Sequence, residues 1–369
     1  MIVHCEERTV SPDRASVLAE VQVLLDARIA GSDRYGGAIR ELWELAARRV
    51  GGGKLLRPIL LLDTCAALRR AGQLGAEAPV GAADAAVVLR CAAALELLHF
   101  AFLLHDDVID HDLVRRGEEN LVGELHRRGS ARGGTQRSLH WARSAGLLLG
   151  DQLLALVHQE VARLRVPERR RTMLLDLLDD AVAESAAGEL LDVGLADGMI
   201  PPERTAVMTM TRSKTAAYSF ELPLGMAAVL AGADSGTTDA LRHAGRCAGT
   251  AFQLQDDLLS AFGDERLHGK DPWSDIREGK RTLLIEAARG TPAWPRIQEA
   301  LGGQESGPRD GERLRMLLEQ CGARARVEEE IRAQLAAARR ALAPASSPVP
   351  AEVAQVIDQH LRRLEGRSR

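Results

Sequence analysis

The chain has 369 residues and 46% hydrophobic content, enough for one large domain or two small ones with a substantial core. Aromatic residues make up only 3%, so Leu, Ala and Val must build that core, which favours helices over sheets. A formal net charge of -4 argues against a nucleic-acid footprint. The five scattered cysteines (Cys5, Cys65, Cys91, Cys247, Cys321) lack zinc-like spacing and read as reduced thiols of a cytoplasmic protein.

Residues 1–12 read as a frayed lead, too charged for a signal peptide (His4, Glu6, Glu7, Arg8). Val17, Leu18, Val21, Leu24, Leu25 and Ile29 keep helical spacing. A break over 31–37 follows, then a short amphipathic helix over 41–50 with Leu42, Leu45 and Ala46 inward. Gly51-Gly52-Gly53-Lys54-Leu55-Leu56-Arg57-Pro58 is a glycine loop opening a helix. Lys54 and Arg57, three apart, project from one side and suit an anion, or form a solvated basic turn. After a linker over 72–81, the run 85–104 has no Gly or Pro. Arg90, Glu96 and His99 interrupt it, so it reads as a buried core helix and not a membrane span.

That helix ends in Asp106-Asp107-Val108-Ile109-Asp110, trailed by Arg115-Arg116-Gly117. The pattern then degrades over 117–146 into a polar connection, either lid or disordered. Helical spacing resumes over 147–164 and 174–195. Pro201-Pro202-Glu203 opens a further helix holding Lys214-Thr215. Helices over 222–230 and 241–259 follow; the second ends in Phe252-Gln253-Leu254-Gln255-Asp256-Asp257. A loop over 261–280 carries Lys270 and Lys280. Residues 289–311 read as irregular, 312–342 as one charged amphipathic helix, 344–350 as a proline-containing break and 353–364 as a last helix. No strand alternation stands out.

Residues four apart share a helix face, so Asp106 and Asp110 point the same way with Asp107 beside them. Three crowded carboxylates repel one another unless a hard cation sits among them, and oxygen ligands suit magnesium shared with phosphates. A single acidic doublet is more often a solvated helix end, as Asp179-Asp180 reads here. The second copy at Asp256-Asp257 changes the balance. Two acid-ended helices, each trailed by basic residues, would frame one metal–diphosphate site.

These stretches, with Lys54 to Pro58 and Lys214-Thr215, occur in an order that resembles the class I trans-isoprenyl diphosphate synthases, most of all the geranylgeranyl diphosphate synthases. The resemblance runs from about residue 50 to 285. It implies an all-α isoprenoid synthase fold: a single domain over 1–369, a helical bundle around a central cavity, assembled as a homodimer. It implies Mg2+ held by Asp106, Asp110 and Asp256, with Asp107 and Asp257 orienting metal-bound waters. Arg115, Lys214 and Lys270 would meet the allylic diphosphate, and Lys54, Arg57, His99 and Arg116 the isopentenyl diphosphate. Thr215, Gln253 and Lys280 complete the substrate contacts.

The chain departs from the family in places. Leu55 stands where an Arg is frequent, Ser260 where a third aspartate is common, and Glu189 where a Gln is usual. Glu119, Asn120 and Val122 stand in place of Pro, Thr and His. Ala101 and Phe102, one small and one bulky, sit where the family sets chain length. They point to geranylgeranyl diphosphate, with farnesyl or longer products as the alternatives. A terpene cyclase would lack the second acidic motif, and a non-catalytic subunit of a heteromeric enzyme would have lost aspartates of the first.

Overall fold

The computed structural model describes residues 13–72, 82–115, 117–263, 279–301, 308–343 and 347–365. The expected frayed lead (1–12), most of the 72–81 linker and part of the 344–350 break lie outside them. The described residues are almost entirely helical, as the aromatic-poor composition predicts. Helices α1 (Arg14–Ser32), α2 (Gly37–Arg49) and α3 (Leu56–Arg70) lead to the long α4 (Ala82–Ile109). Ala92, Ala93, Leu95, Leu97, Leu98, Ala101 and Leu104 of α4 are at most 1% exposed. Among the described residues α4 is the one helix long and apolar enough to cross a bilayer, but most of it is buried within the protein. A buried stretch hydrophobic on all sides is what a central core helix requires.

A small hairpin pairs Val114–Arg115 (β1) with Glu118–Glu119 (β2), a strand pair the sequence did not signal. The polar stretch that follows is no disordered lid. It forms α5 (Leu121–Gly133) and the start of α6 (Thr135–Ala162). Its charges are paired with distant groups, Arg49 with Glu124 at 2.5 Å and Arg128 with Glu41 at 2.7 Å, and Arg127 pairs within the stretch with Glu119 at 2.8 Å. Its inner face uses small residues, since a Cβ added at Gly129 would lie 2.9 Å from that of Ser138. Polar residues whose partners lie far off in sequence read as loop when viewed locally.

Helix α7 (Glu168–Ala196) and α8 (Arg204–Thr211) lead into a π-helical segment, Arg212–Glu221, then α9 (Leu222–Ala231) and α10 (Ser235–Phe262). Helix α10 starts earlier than its apolar pattern, because the Asp234 side chain accepts from Thr237 N at 2.7 Å. Such a cap contributes about 1 kcal/mol. The region over 289–311 also differs from expectation. It contains α12 (Trp294–Leu301) and the start of α13 (Pro308–Gln320), after α11 (Leu283–Arg289). Pro295 and Pro308 open helices here, where a missing N–H costs nothing. The expected single helix over 312–342 is two, α13 and α14 (Ala323–Leu342), divided at Gly322, whose φ of 78° permits the left-handed turn. Helix α15 (Ala351–Glu365) closes the bundle, with His360 bonded to Asp63 of α3 at 2.9 Å.

Candidate active site

Helix α4 stops at its acidic motif for a local reason. His111 adopts φ 64°, and its Nδ1 lies 3.1 Å from Val108 O. A left-handed non-glycine residue is uncommon, and here it turns the chain toward the hairpin. Arg115 on β1 then reaches back across the motif. Its Nη2 lies 2.7 Å from Asp106 and 2.6 Å from Asp107, and its Nε donates to Asp107 at 2.8 Å.

Lys214 approaches from the π-helical segment. Its Nζ lies 2.6 Å from Asp192, 3.0 Å from Glu189 and 3.2 Å from Asp106. Lys280, from the loop before α11, binds Asp110 at 2.8 Å. Burial works against ionisation of Asp106, but Lys214, Arg115 and Lys280 together hold its carboxyl well below the usual range. Asp107 has one cation beside it, Arg115, and burial prevails, pushing it up to about 6. Burial tends to discharge Lys214, yet Asp106, Asp192 and Glu189 keep it firmly protonated.

The π segment can sit here because glycines let it. A Cβ at Gly188 of α7 would lie 2.2 Å from Lys214 N, and one at Gly249 of α10 would lie 2.5 Å from Ala216 Cα. The backbone that carries Lys214 is therefore pressed between α7 and α10. Stretches of π-helix are frequent at functional sites.

The second motif is joined to the same segment. Thr215 Oγ1 donates to Gln253 Oε1 at 2.5 Å, and Gln253 Nε2 donates to Asp257 at 2.9 Å. Asp256, part-buried, occupies the same turn of α10. Asp257, Ser260, Lys280 and Thr282 line a shared recess, so Lys280 links the two acidic motifs.

A second cluster lies nearby. Arg57, 8% exposed, donates through Nη2 to Tyr218 Oη at 3.0 Å and Ser219 Oγ at 2.7 Å. Its guanidinium stacks 4.5 Å from the Tyr218 ring, and its Nε has no partner among the described residues. His99 Nδ1 is 3.5 Å from Tyr218 Oη. The Phe102 ring meets Tyr218 edge-on at 4.8 Å, while Ala101 is fully buried. Lys54 is exposed, so the expectation that it projects alongside Arg57 holds only in part. The left-handed Leu55 (φ 51°) separates them, turning Arg57 inward. Arg116 and Lys270 lie outside the described residues.

Sequence reasoning missed Tyr218 and Ser219 as partners of Arg57, and gave Glu189 and Asp192 no role. The signal available for the acids was their spacing of three, which places both on one face of α7 beside Gly188. Among the described residues no three His, Cys, Asp or Glu side chains converge as a ready-made metal cage. Magnesium does not require one, since it takes one or two carboxylates together with phosphates and water. The hard oxygens of Asp106 and Asp110, each beside a cation, fit that role.

Residues 40–318 match the model of the polyprenyl synthetase family. The chain belongs to that family. It is a trans-prenyl diphosphate synthase. The synthase is 30% identical over 256 residues to the short chain isoprenyl diphosphate synthase of Methanocaldococcus jannaschii, covering 69% of this chain and 68% of that one. It is 28% identical over 338 residues to the nonaprenyl diphosphate synthase of Mycobacterium tuberculosis, covering 89% and 87%. The crystal structure of geranylgeranyl pyrophosphate synthase from Corynebacterium glutamicum, complexed with isoprenyl diphosphate and magnesium, aligns with the synthase at a TM-score of 0.83. That match has 28% identity and covers 96% of this chain and 97% of the other. The names of these relatives span short to nonaprenyl products, so similarity does not carry product length.

Proposed function

We propose that the synthase condenses isopentenyl diphosphate with allylic diphosphates to give geranylgeranyl diphosphate, using Mg2+. The observation that carries this reading is the convergence of Arg115, Lys214 and Lys280, from three separate elements, on Asp106, Asp107 and Asp110. These cations neutralise the carboxylates. With an allylic diphosphate bound they are free to turn toward its phosphate oxygens, where charge develops as the carbon–oxygen bond breaks. Asp106, Asp110 and Asp256 would hold magnesium, and what it supplies when bound is further neutralisation of the departing pyrophosphate.

Arg57, with His99 beside Tyr218 and Lys54 at the rim, would hold the second diphosphate. A buried guanidinium whose Nε has no partner among the described residues supports an anion site at this place. The π electrons of the isopentenyl double bond then attack the allylic cation, forming the new carbon–carbon bond. The proton lost from the adduct passes to the released pyrophosphate. A second diphosphate site favours condensation over cyclisation.

Product length rests on Ala101 and Phe102. A small side chain beside a bulky one fits a medium chain. On this reading Ala101→Phe shortens the product and Phe102→Ala lengthens it, read by chromatography of the dephosphorylated alcohols. We also propose a homodimer, supported by the exposed apolar side chains Trp141, Leu147 and Leu148 on α6. The deciding experiment is incubation of purified protein with labelled isopentenyl diphosphate, allylic primers and magnesium. A C20 alcohol after dephosphorylation is expected. A cyclic hydrocarbon, or no product without a second polypeptide, overturns the reading.

A further inference from the structure

Asn120 lies between the acidic motif, the hairpin and α5, and it is 6% exposed. Its Oδ1 accepts from Gly123 N at 2.7 Å, capping α5. Its Nδ2 donates to Asp112 O at 2.9 Å, and its backbone N–H donates to Leu113 O at 3.0 Å. One residue therefore ties the segment leaving α4, just past the acidic motif, to the end of β2 and the first turn of α5.

The packing around it leaves little play. A Cβ added at Gly123 would lie 2.1 Å from Leu113 O, so the base of the hairpin presses directly on α5. From the other side Arg49 donates to Glu119 O at 2.6 Å and binds Glu124. Glu119 stands where the family resemblance places a proline, so this strand lacks the stiffness of a ring.

The hairpin has one feature that needs constraining. Arg115 spans Asp106 and Asp107 with three contacts between 2.6 and 2.8 Å. A fork of this kind depends on the position of its backbone, and β1 is only two residues long. We propose that Asn120 is a positioning residue that sets Arg115 against the Asp106–Asp107 pair. It acts through the Nδ2 bond to Asp112 O, separately from its capping of α5. The inference rests on the reading of Arg115 as an allylic diphosphate ligand.

Serine caps helices about as well as asparagine, adds no charge, and is too short to reach Asp112 O. Asn120→Ser therefore separates the two roles, and Asn120→Ala removes both. The expected result for Asn120→Ser is a melting temperature within about 2 °C of wild type. Its kcat/KM for the allylic diphosphate should fall at least about tenfold, the loss expected from about 1.4 kcal/mol, while KM for isopentenyl diphosphate stays unchanged. Asn120→Ala should show the same kinetic loss and a lower melting temperature. A ligand-free readout keeps this apart from the proposed reaction. The 15N-labelled Arg115 side-chain Nε–H signal, assigned with Arg115→Lys, should shift and exchange faster in Asn120→Ser. Wild-type kinetics in Asn120→Ser, or an unaltered Arg115 signal, would make Asn120 a helix cap and nothing more.

Discussion

At the scale of single residues the two neighbouring aspartates behave oppositely. Asp106 has three cations around it and stays ionised, whereas Asp107 is buried with one, Arg115, and is pushed up to about 6. A carboxyl raised in this way makes folding take up a proton. Its stabilising contribution is complete below about pH 4, the ordinary carboxylate range. That contribution is lost as the pH rises past about 6. The melting temperature of metal-free wild type should therefore fall, relative to that of Asp107→Asn, between about pH 4 and pH 7. The total change is bounded by about 3 kcal/mol. Parallel melting curves across that range would show that Asp107 is ionised throughout. Tyr218 offers a second test at this scale. Tyr218→Phe keeps the ring under Arg57 and against Phe102 but removes the oxygen that accepts from Nη2. If Arg57 holds isopentenyl diphosphate, its KM should rise about fivefold, equivalent to about 1 kcal/mol for one hydrogen bond, with the allylic KM unmoved. No change in either constant would leave Ser219 as the sufficient partner of Arg57.

At the scale of elements the π-helical segment matters most. It carries Lys214, Thr215 and Tyr218 and is pressed between Gly188 and Gly249. Gly188→Ala should push the Lys214 backbone away from α7. Overpacking of this kind costs about 1–3 kcal/mol, and turnover should fall more than about tenfold because Lys214 no longer reaches Asp106. Gly31→Ala is the control. It lies in α1 with nothing within 4 Å of the added carbon, and gains about 1 kcal/mol of helix propensity. Equal activity in both variants would mean the segment tolerates displacement. The long apolar helices were legible in the sequence because their pattern is local. Thus α4 and both acidic motifs emerge from periodicity and charge alone. The π segment was not, since it depends on glycines twenty or more residues away on other helices. The same reason hid α5: Arg128 finds Glu41, and Arg49 finds Glu124, only after folding. Tyr218 was invisible as a partner of Arg57 because 161 residues separate them.

At the scale of the whole molecule the site is assembled from α3, α4, the hairpin, α7, the π segment, α10 and the loop before α11, spanning Arg57 to Lys280. Its opposite charges satisfy one another: Arg115 with Asp106 and Asp107, Lys214 with Asp106, Glu189 and Asp192, Lys280 with Asp110. Under the proposed reading, a diphosphate that draws away the cations leaves carboxylates uncompensated, and a divalent ion that takes the carboxylates leaves cations uncompensated. Each ligand alone leaves buried charge exposed to the low dielectric of the interior; together they exchange partners without that cost. Metal and diphosphate affinities should therefore be thermodynamically coupled. Magnesium should tighten the binding of an unreactive allylic diphosphate analogue by some factor, and the analogue should tighten magnesium by that same factor, because a coupling free energy is shared by both ligands. Calorimetric titrations in both orders measure it, and independent affinities would show that the resting ion pairs are not broken on binding. On this reading the half-loaded states are disfavoured, and an allylic diphosphate is held weakly until the ions needed to ionise it have also arrived.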